Sequence, residues 1–524
     1  MKFVAVPLLA GCLLPMAALA GPAVEVNTEV HHDTSGALRD MKITQPTSRL
    51  LHTLPLRHTG PLLPYEAAIG DVASQFTPGP ELSARPGLNL VGVGTGFTGP
   101  QGTFTDSSAP PDVNGAVGTT QVVEWVNQSF AVFDKVTGKP VLGPAQGNTL
   151  WKGFGGGCET NNDGDIIVLF DKAAQRWVFT QFSISNTPYL QCVAVSTTSD
   201  ATGSFNRYSF TQPNFNDYPK LGTWSDAYYM SFNIFGGNFL GPRACAFDRA
   251  KMLTGVAAKQ ECFQLGTNYG SLLPADLDGS TPPPAGSPNY YVSYTRNALQ
   301  MWSFHADFIT PKNATFTGPV TIPVAAFTPA CGGGTCVPQK GTTQQLDTLA
   351  DRLMYRLAYR NYSAANPPHE SLVVTHSVKP AAPDKGVSAV RWYELRSPGT
   401  SPVLFQQGTY APAGSTSRWM GSAAMDKIGD MLVGYSASSA TLYPEIFVAG
   451  RKPTEALGTL EAEHLEFAGS GAQSGGLSRW GDYTAMSVDP VDDCTFWYFG
   501  EYIPANGSFN WSTRIGSYKF PACK

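Results

Sequence analysis

The sequence predicts an all-β protein, a seven-bladed β-propeller closed by an N-terminal strand. Three observations carry that expectation. Charged residues make up only 14% of the 524, aromatics 11%, and Gly and Pro together number 95 (54 and 41), a mixture of turns and strands rather than of helices. A polar stretch, a short strand, an Asp-containing turn and a more aromatic strand recur along the chain, the mark of a tandem β architecture. Finally, the last unit is one strand short while one strand is left over near the N-terminus.

Taken in order, residues 1–20 read as an export signal. Lys2 supplies the charge, an apolar stretch runs from Phe3 to Leu19, and Ala18-Leu19-Ala20 precedes Gly21 as a small-x-small cleavage site. Leu9-Ala10-Gly11-Cys12 resembles a lipobox, which would anchor the chain through a lipidated Cys12. Only nine residues separate Lys2 from Cys12 and the apolar run continues beyond it, so cleavage after Ala20 is the stronger reading. No later stretch approaches the roughly 18 apolar residues of a membrane span. The expected localisation is secreted or periplasmic. Residues 21–85 have little periodicity and hold His31, His32, His52 and His58. They read as a leader, a pro-segment or a strap over the main domain, which covers 86–524.

Within 86–524 the repeat is clearest in three places. Asn162–Asp171 is followed by Arg176–Phe182, Arg418–Asp426 by Asp430–Tyr435, and Asp482–Asp489 by Thr495–Phe499. For the unit near Asp165, two further strands follow at Leu190–Ser196 and Ser204–Thr211. Units are expected to open near Asp112, Asp165, Asp217, Asp276, Asp351, Trp419 and Asp482, the fourth interrupted by Pro282–Pro284. After Asp482 only three strand-like runs remain, Tyr483–Val488, Thr495–Tyr502 and Thr513–Phe520. The orphan Leu88–Gly94 supplies a fourth and closes the ring, leaving no unpaired edge.

Without Cys12 the chain has eight cysteines, an even number that in an exported protein implies disulfides. Sequence neighbours are the simplest pairing: 158–192, 245–262, 331–336 and 494–523. The spacings do not match zinc sites. A formal charge of −5 with no basic stripe argues against nucleic acid as a partner.

In a propeller the connections into the first strands lie on one face. The polar residues before those strands should therefore converge on one funnel. Asp112, Asn114, Asp165, Asp217, Asp351 and Asp482 are expected there, with Arg352, Arg418, Arg479, Lys220, Tyr218, Tyr483, Trp419 and Trp480. Asp residues in such positions often only cap turns, and Arg residues often only pair with them. A functional subset would use Asp165, Asp217, Asp351 and Asp482 as catalytic carboxyls, since paired carboxyls can protonate a leaving oxygen and assist attack at a sugar carbon. Arg352, Arg418, Arg479 and Lys220 would hold an anionic group, and Trp419, Trp480, Tyr218 and Tyr483 would stack on a sugar ring. A divalent cation such as calcium, held by carboxylates and carbonyls, is a further option. Asp171, Asp426 and Asp489 belong to turns on the opposite face, and His305, His369, His376 and His464 read as structural. No G-x-S-x-G, H-E-x-x-H, phosphate loop or EF-hand is present, and Asn162-Asp163-Gly164-Asp165 lacks the spacing of a calcium loop.

The segments PPDVNGAVG (110–118), NNDGDIIVLFDKAAQRW (161–177), FNDYPKLG (215–222), RLMYRLAYRN (352–361) and RWGDYTAMSVDPVDDCTFWY (479–498) resemble those of a group of exported bacterial proteins, sialidase-like in fold. The resemblance covers about 110–524 and implies a propeller. Sialidases use an Arg triad, a Tyr-Glu pair and an Asp acid. This chain has no Arg-Ile-Pro near its first unit and no S-x-D-x-G-x-T-W box, so the activity does not transfer. The expected function is action on, or binding of, an extracellular carbohydrate through the funnel. The alternative is a non-catalytic adhesion or protein-binding module whose partner is a cell-surface protein.

Overall fold

A computed structural model of the chain describes residues 22–43, 52–59, 70–105, 108–382, 384, 386–412 and 414–524. The expected signal peptide and Cys12 lie outside the described residues. Among them, nearly all regular structure is β. Strands Val113–Val117, Gln121–Val126, Ser129–Asp134 and Pro140–Gln146 form a first antiparallel unit. The second is Ile167–Asp171, Arg176–Ser183, Leu190–Ser196 and Phe205–Thr211; the third is Phe215–Thr223, Tyr228–Gly236, Asn238–Phe247 and Lys259–Gln264. Leu273–Leu277, Asn289–Thr295, Ala298–His305 and Thr315–Pro323 make the fourth, and Met354–Tyr362, His369–Val378, Ala389–Arg396 and Val403–Tyr410 the fifth. Their first strands pair in parallel at Ala275–Leu277, which joins these two units into one sheet. The sixth is Ser417–Met425, Met431–Ser439, Leu442–Arg451 and His464–Phe467.

The last unit has Ala485–Val488, Thr495–Tyr502 and Ser512–Lys519, and its outer strand is Arg85–Val91, antiparallel to Ser512–Lys519. The first strand of every unit touches the first strands of its two neighbours, and that of the last unit touches Val113–Val117 of the first. The contacts form a closed cycle, so the all-β chain is a propeller whose ring is locked by its N-terminal strand. Gly222 shows how tightly the inner strands approach: a Cβ there would sit 2.3 Å from the Ala275 carbonyl oxygen of the next unit.

Each sheet is sandwiched between two others, so both of its faces are buried and its strands read as continuous apolar runs, as in Ile167–Asp171 or Thr495–Tyr502. Large aromatics fill the gaps. Trp125 lies edge-on to Phe179 between the first two units, and Trp224 packs on Tyr290 and Tyr359 where the third, fourth and fifth meet. Four disulfides join Cys158–Cys192, Cys245–Cys262, Cys331–Cys336 and Cys494–Cys523. No helix among the described residues is long and apolar enough to cross a membrane.

The described residues of 21–85 wrap the ring. Glu25–Thr28 pairs with Lys259–Gln264 and His31–Thr34 with Phe205–Thr211, while Ser74–Gln75 adds in parallel to Thr409–Tyr410. Three outer edges that would otherwise offer unpaired backbone are thereby covered. Between these contacts, His52–Thr53 pairs in parallel with Ser108–Ala109, and the chain to Thr59 crosses the face where the first strands begin.

Candidate functional site

The start of each first strand is built around one non-glycine residue in the left-handed region. These are Asp112, Asp165, Tyr218, Ser271, Leu349, Met420 and Asp482, with φ of 50, 46, 55, 47, 47, 58 and 57°. Such a residue turns the chain sharply from the mouth into the inner strand. Asp tolerates this conformation better than most side chains because its carboxylate bonds to local backbone. Asp165 instead ties neighbouring units, its Oδ2 accepting the Tyr218 N–H of the third unit at 2.9 Å, while its own N–H donates to Asn127 Oδ1 of the first at 3.2 Å. Asn114 Oδ1 accepts from Val168 N–H at 2.8 Å and so ties two inner strands.

The hub these turns enclose is polar and sealed. Lys220 is fully buried, its Nζ 3.4 Å from the Tyr218 ring centroid and 3.9 Å from that of Tyr483. Tyr218 Oη donates to the Asp482 carbonyl (3.2 Å) and Tyr483 Oη to the Ile166 carbonyl (3.0 Å). Arg479 is paired with Asp482. Asp112 is buried and its Oδ1 has no hydrogen-bond partner among the described residues. Burial holds its carboxyl well above the usual range, helped by the nearby charges of Asp482 and Asp165. Burial also pulls the Lys220 ammonium down to about 7, against the attraction of Asp165, Asp112 and Asp482. Burial therefore favours the neutral forms of Asp112 and Lys220.

The segment Leu54–His58 lies across this hub. Arg479 Nη1 donates to the Leu54 carbonyl at 3.0 Å and Arg352 Nη2 to the Arg57 carbonyl at 2.9 Å. Arg352 also grips Asp351 through two bonds of 2.7 and 3.0 Å, and Asp351 Oδ2 meets His58 Nδ1 at 2.9 Å. Beside the segment is a cleft of about 490 Å³ lined by Leu54, Arg57, Asp165, Asp217 and an aromatic group, Phe182, Tyr189, Phe215 and Phe235. The Arg57 guanidinium lies 4.5 Å from the Phe215 ring centroid and 5.6 Å from that of Phe235. Asp165 and Asp217 are half-buried in its wall. Burial, then the neighbouring Asp165 charge, pushes Asp217 up to about 8 against the pull of Arg352 and Arg57. Asp165 is also raised, chiefly by burial.

Several expected site residues are placed otherwise. Arg418 lies away from the hub, bound to Glu463 at 2.7 and 2.5 Å and to the Thr416 carbonyl. Trp419 and Trp480 are buried against each other, centroids 5.7 Å apart, with Trp480 Nε1 donating to Ser436 Oγ at 3.0 Å. They are core residues and present no face to a sugar. Tyr218, Tyr483 and Lys220 are sealed in the hub, and Arg352, Arg479, Asp351 and Asp482 are engaged in the ion pairs and segment contacts above. Asp351 lines a separate, smaller cavity of about 220 Å³. Asp165 and Asp217 alone of the four expected catalytic carboxyls line the larger cleft. Among the described residues no group of three or more His, Cys, Asp or Glu is placed to hold a metal ion. The residues missed were Arg57 and the cleft aromatics; Asp163, also in its wall, lay in the Asn-Asp-Gly-Asp run set aside as a broken calcium loop.

The opposite-face aspartates have the turn roles expected. Asp171 Oδ1 accepts from Ala174 N–H, Asp426 Oδ1 from Ile428 and Asp430 N–H, and Asp489 Oδ1 from Val491 N–H.

Fold and hub together define the class: an all-β propeller with a sealed polar hub and an open aromatic cleft beside it. No known protein family matches the sequence, and no curated protein matches it. Among solved structures the chain is similar to an exo-β-1,3-galactanase from Clostridium thermocellum, at 10% identity and a TM-score of 0.30 over 78% of this chain and 81% of that one. It is also similar to the WD40 domain of SCAP from fission yeast (8% identity, TM-score 0.33, 80% and 84%). A third is a PL25 ulvan lyase (11% identity, TM-score 0.28, 76% and 96%). At such TM-scores these likenesses carry no inference about site or substrate, and the strand pairing alone defines the fold.

Proposed function

We propose that this is an exported, seven-bladed propeller that binds an extracellular glycan in the aromatic cleft and cleaves it with Asp217 as proton donor. The observation that carries this is Asp217 itself: a half-buried carboxyl, raised to about 8, in the wall of a cleft that also holds Asp165 and four aromatic rings. A carboxyl kept protonated at neutral pH can protonate a departing glycosidic oxygen, and a second carboxyl beside it can assist the attack. Aromatic rings give the apolar faces of a sugar a flat surface. The four disulfides fit an oxidising compartment, outside the cell or in the periplasm.

A second reading, a non-catalytic adhesion or protein-binding module, is favoured by one observation. Arg352 and Arg479 are spent on the carbonyls of Arg57 and Leu54, so the hub gives no cation to a substrate. A screen of extracellular polysaccharides for binding and for release of reducing ends separates the two. The enzyme reading expects turnover by the wild type that declines as pH rises through about 8, and loss of at least about a hundredfold in Asp217→Asn with binding retained. Binding without turnover by the wild type selects the module. Full turnover by Asp217→Asn ends the assignment of Asp217.

A further inference from the structure

A second cleft, of about 370 Å³, opens at the other end of the ring, between the fifth and sixth units. Strands Met354–Tyr362, Ala389–Arg396, Ser417–Met425 and Leu442–Arg451 all finish there, whereas Asp165 and Asp217 lie where first strands begin. Four cations line it, Arg360, Arg396, Lys427 and Arg451, against two carboxylates, Glu394 and Asp493.

The carboxylates are fully committed. Arg360 holds Asp493 through bonds of 2.8 and 2.7 Å. Glu394 accepts from Arg396 Nε and Ser371 Oγ at 2.7 Å and from Gln406 Nε2 at 2.6 Å. The other two cations have no carboxylate partner among the described residues. Lys427 is exposed and its Nζ donates to the Asp492 carbonyl at 3.0 Å. Arg451 is buried, and its guanidinium donates to the carbonyls of Lys452, Glu455, Ala456 and Thr459 at 3.1–3.3 Å. It thereby fixes the loop that walls the cleft. Asp426, next to Lys427, is buried and raised to about 7, first by burial and then by Asp430, so its charge is only partly developed at neutral pH.

The walls suit a flat, polar ligand. The Arg396 guanidinium covers the Phe405 ring at 3.3 Å from its centroid, and His369 stacks on Tyr362 at 5.0 Å. The Asn361 and Gln406 amides add polar atoms, and the volume lies within the roughly 300–1,000 Å³ of ligand pockets. We infer that this cleft binds an anionic sugar unit, its carboxylate or sulfate held between Lys427 and Arg396 and its ring beside the Arg396–Phe405 stack. The site is independent of the Asp217 cleft and goes beyond the function proposed for it.

The test is isothermal titration of the full chain with galacturonate, galactose 6-sulfate and galactose at low salt. One or both anions should bind saturably and galactose should not, with affinity falling as salt rises. Preference between the two anions distinguishes a carboxylated from a sulfated ligand. Arg396→Met with Lys427→Met should weaken binding at least tenfold, and Asp217→Asn should leave it unchanged. Lys427→Glu, a change at an exposed position, guards against misfolding of the double variant and should weaken binding likewise. Failure of both anions to bind, equal binding of galactose, or loss of binding in Asp217→Asn instead of the Lys427 variants overturns the inference.

Discussion

Glu124 tests the ring closure directly. It lies on the second strand of the first unit, fully buried, and its Oε2 accepts the Val93 N–H at 2.5 Å. Val93 lies two residues past the N-terminal closing strand, which ends at Val91. The Thr513 hydroxyl of the last unit donates to the Val93 carbonyl at 2.7 Å, and Glu124 Oε1 has no hydrogen-bond partner among the described residues. Glu124 therefore sits where the first unit, the closing strand and the last unit meet. Burial pushes its carboxyl from 4.5 up to about 8. The folded state holds the proton that the unfolded chain releases, so this stability is fully present below about pH 4.5 and is lost as pH rises through about 8. The span between the two values, at about 1.36 kcal/mol per pH unit, sets a ceiling of about 5 kcal/mol. Glu124→Gln keeps the shape and the acceptor and removes the titration. The substitution should be near neutral at pH 4.5 and stabilising by about 2–5 kcal/mol at pH 8.5, the lower end allowing for an imperfectly placed amide. Urea unfolding of both proteins at the two pH values measures the difference. A difference that is the same at both pH values, or a variant less stable at pH 8.5, refutes a closure built around a protonated Glu124.

Three further outcomes follow from the same ring. Arg356 is buried between Asp276 (2.8 Å) and Asp278, with Lys172 on the far oxygen of Asp278 at 2.7 Å; Arg356→Met leaves buried Asp276 without a cation and Asp278 with Lys172 alone, and should cost about 3–5 kcal/mol in urea unfolding. Cys494–Cys523 ties the C-terminus to the first turn of the last unit across 29 residues; the double Cys→Ala variant should lose about 3–4 kcal/mol on the loop-entropy scale, and no loss would show the strand pairing alone suffices. Asp351→Asn weakens the grip on Arg352 and His58, so amide exchange over 52–59 should quicken while exchange in the inner strands stays unchanged. Arg352 and His58 hold the Asp351 carboxyl well below the usual range despite its burial. Its contribution is therefore present at neutral pH and lost as pH falls below the ordinary carboxylate range.

Much of the propeller was legible because its rule is local. Each first strand follows a polar turn, most second strands are aromatic, and neighbouring strands are neighbours in sequence, so cysteines adjacent in sequence were also the ones that paired. A strap was one of the readings open for residues 21–85, but its strand pairing was not legible. Its strands are two to four residues long, too short for periodicity to register, and three of the four find partners some 170 to 335 residues away, as with His31 and Ser209 or Ser74 and Thr409. Trp419 and Trp480 were misplaced for a different reason. Proximity in sequence to a mouth residue does not make a side chain face the mouth, and a strand alternates its sides. Arg418 found Glu463, 45 residues on, a pairing no local pattern signals. The cleft aromatics were overlooked because the turns between second and third strands reach the same face as the first-strand turns, and Phe182, Tyr189 and Phe235 arrive by that route.

The left-handed residue at each mouth decides how far an Asp there can be read as chemistry. The seven positions carry Asp, Tyr, Ser, Leu and Met, so the sharp turn is a demand of the architecture that several side chains meet. Asp112, Asp165 and Asp482 stand at such positions, and their presence is accounted for by the turn alone. Asp217 is not at one; its neighbour Tyr218 makes the turn. The Asp217 carboxylate caps no backbone group among the described residues, pairs with no cation within bonding distance, and is nonetheless held half-buried beside Asp165. No turn and no ion pair among the described residues accounts for a carboxyl held in that wall. That asymmetry separates Asp217 from the other mouth aspartates and makes it the residue on which a function for this cleft turns.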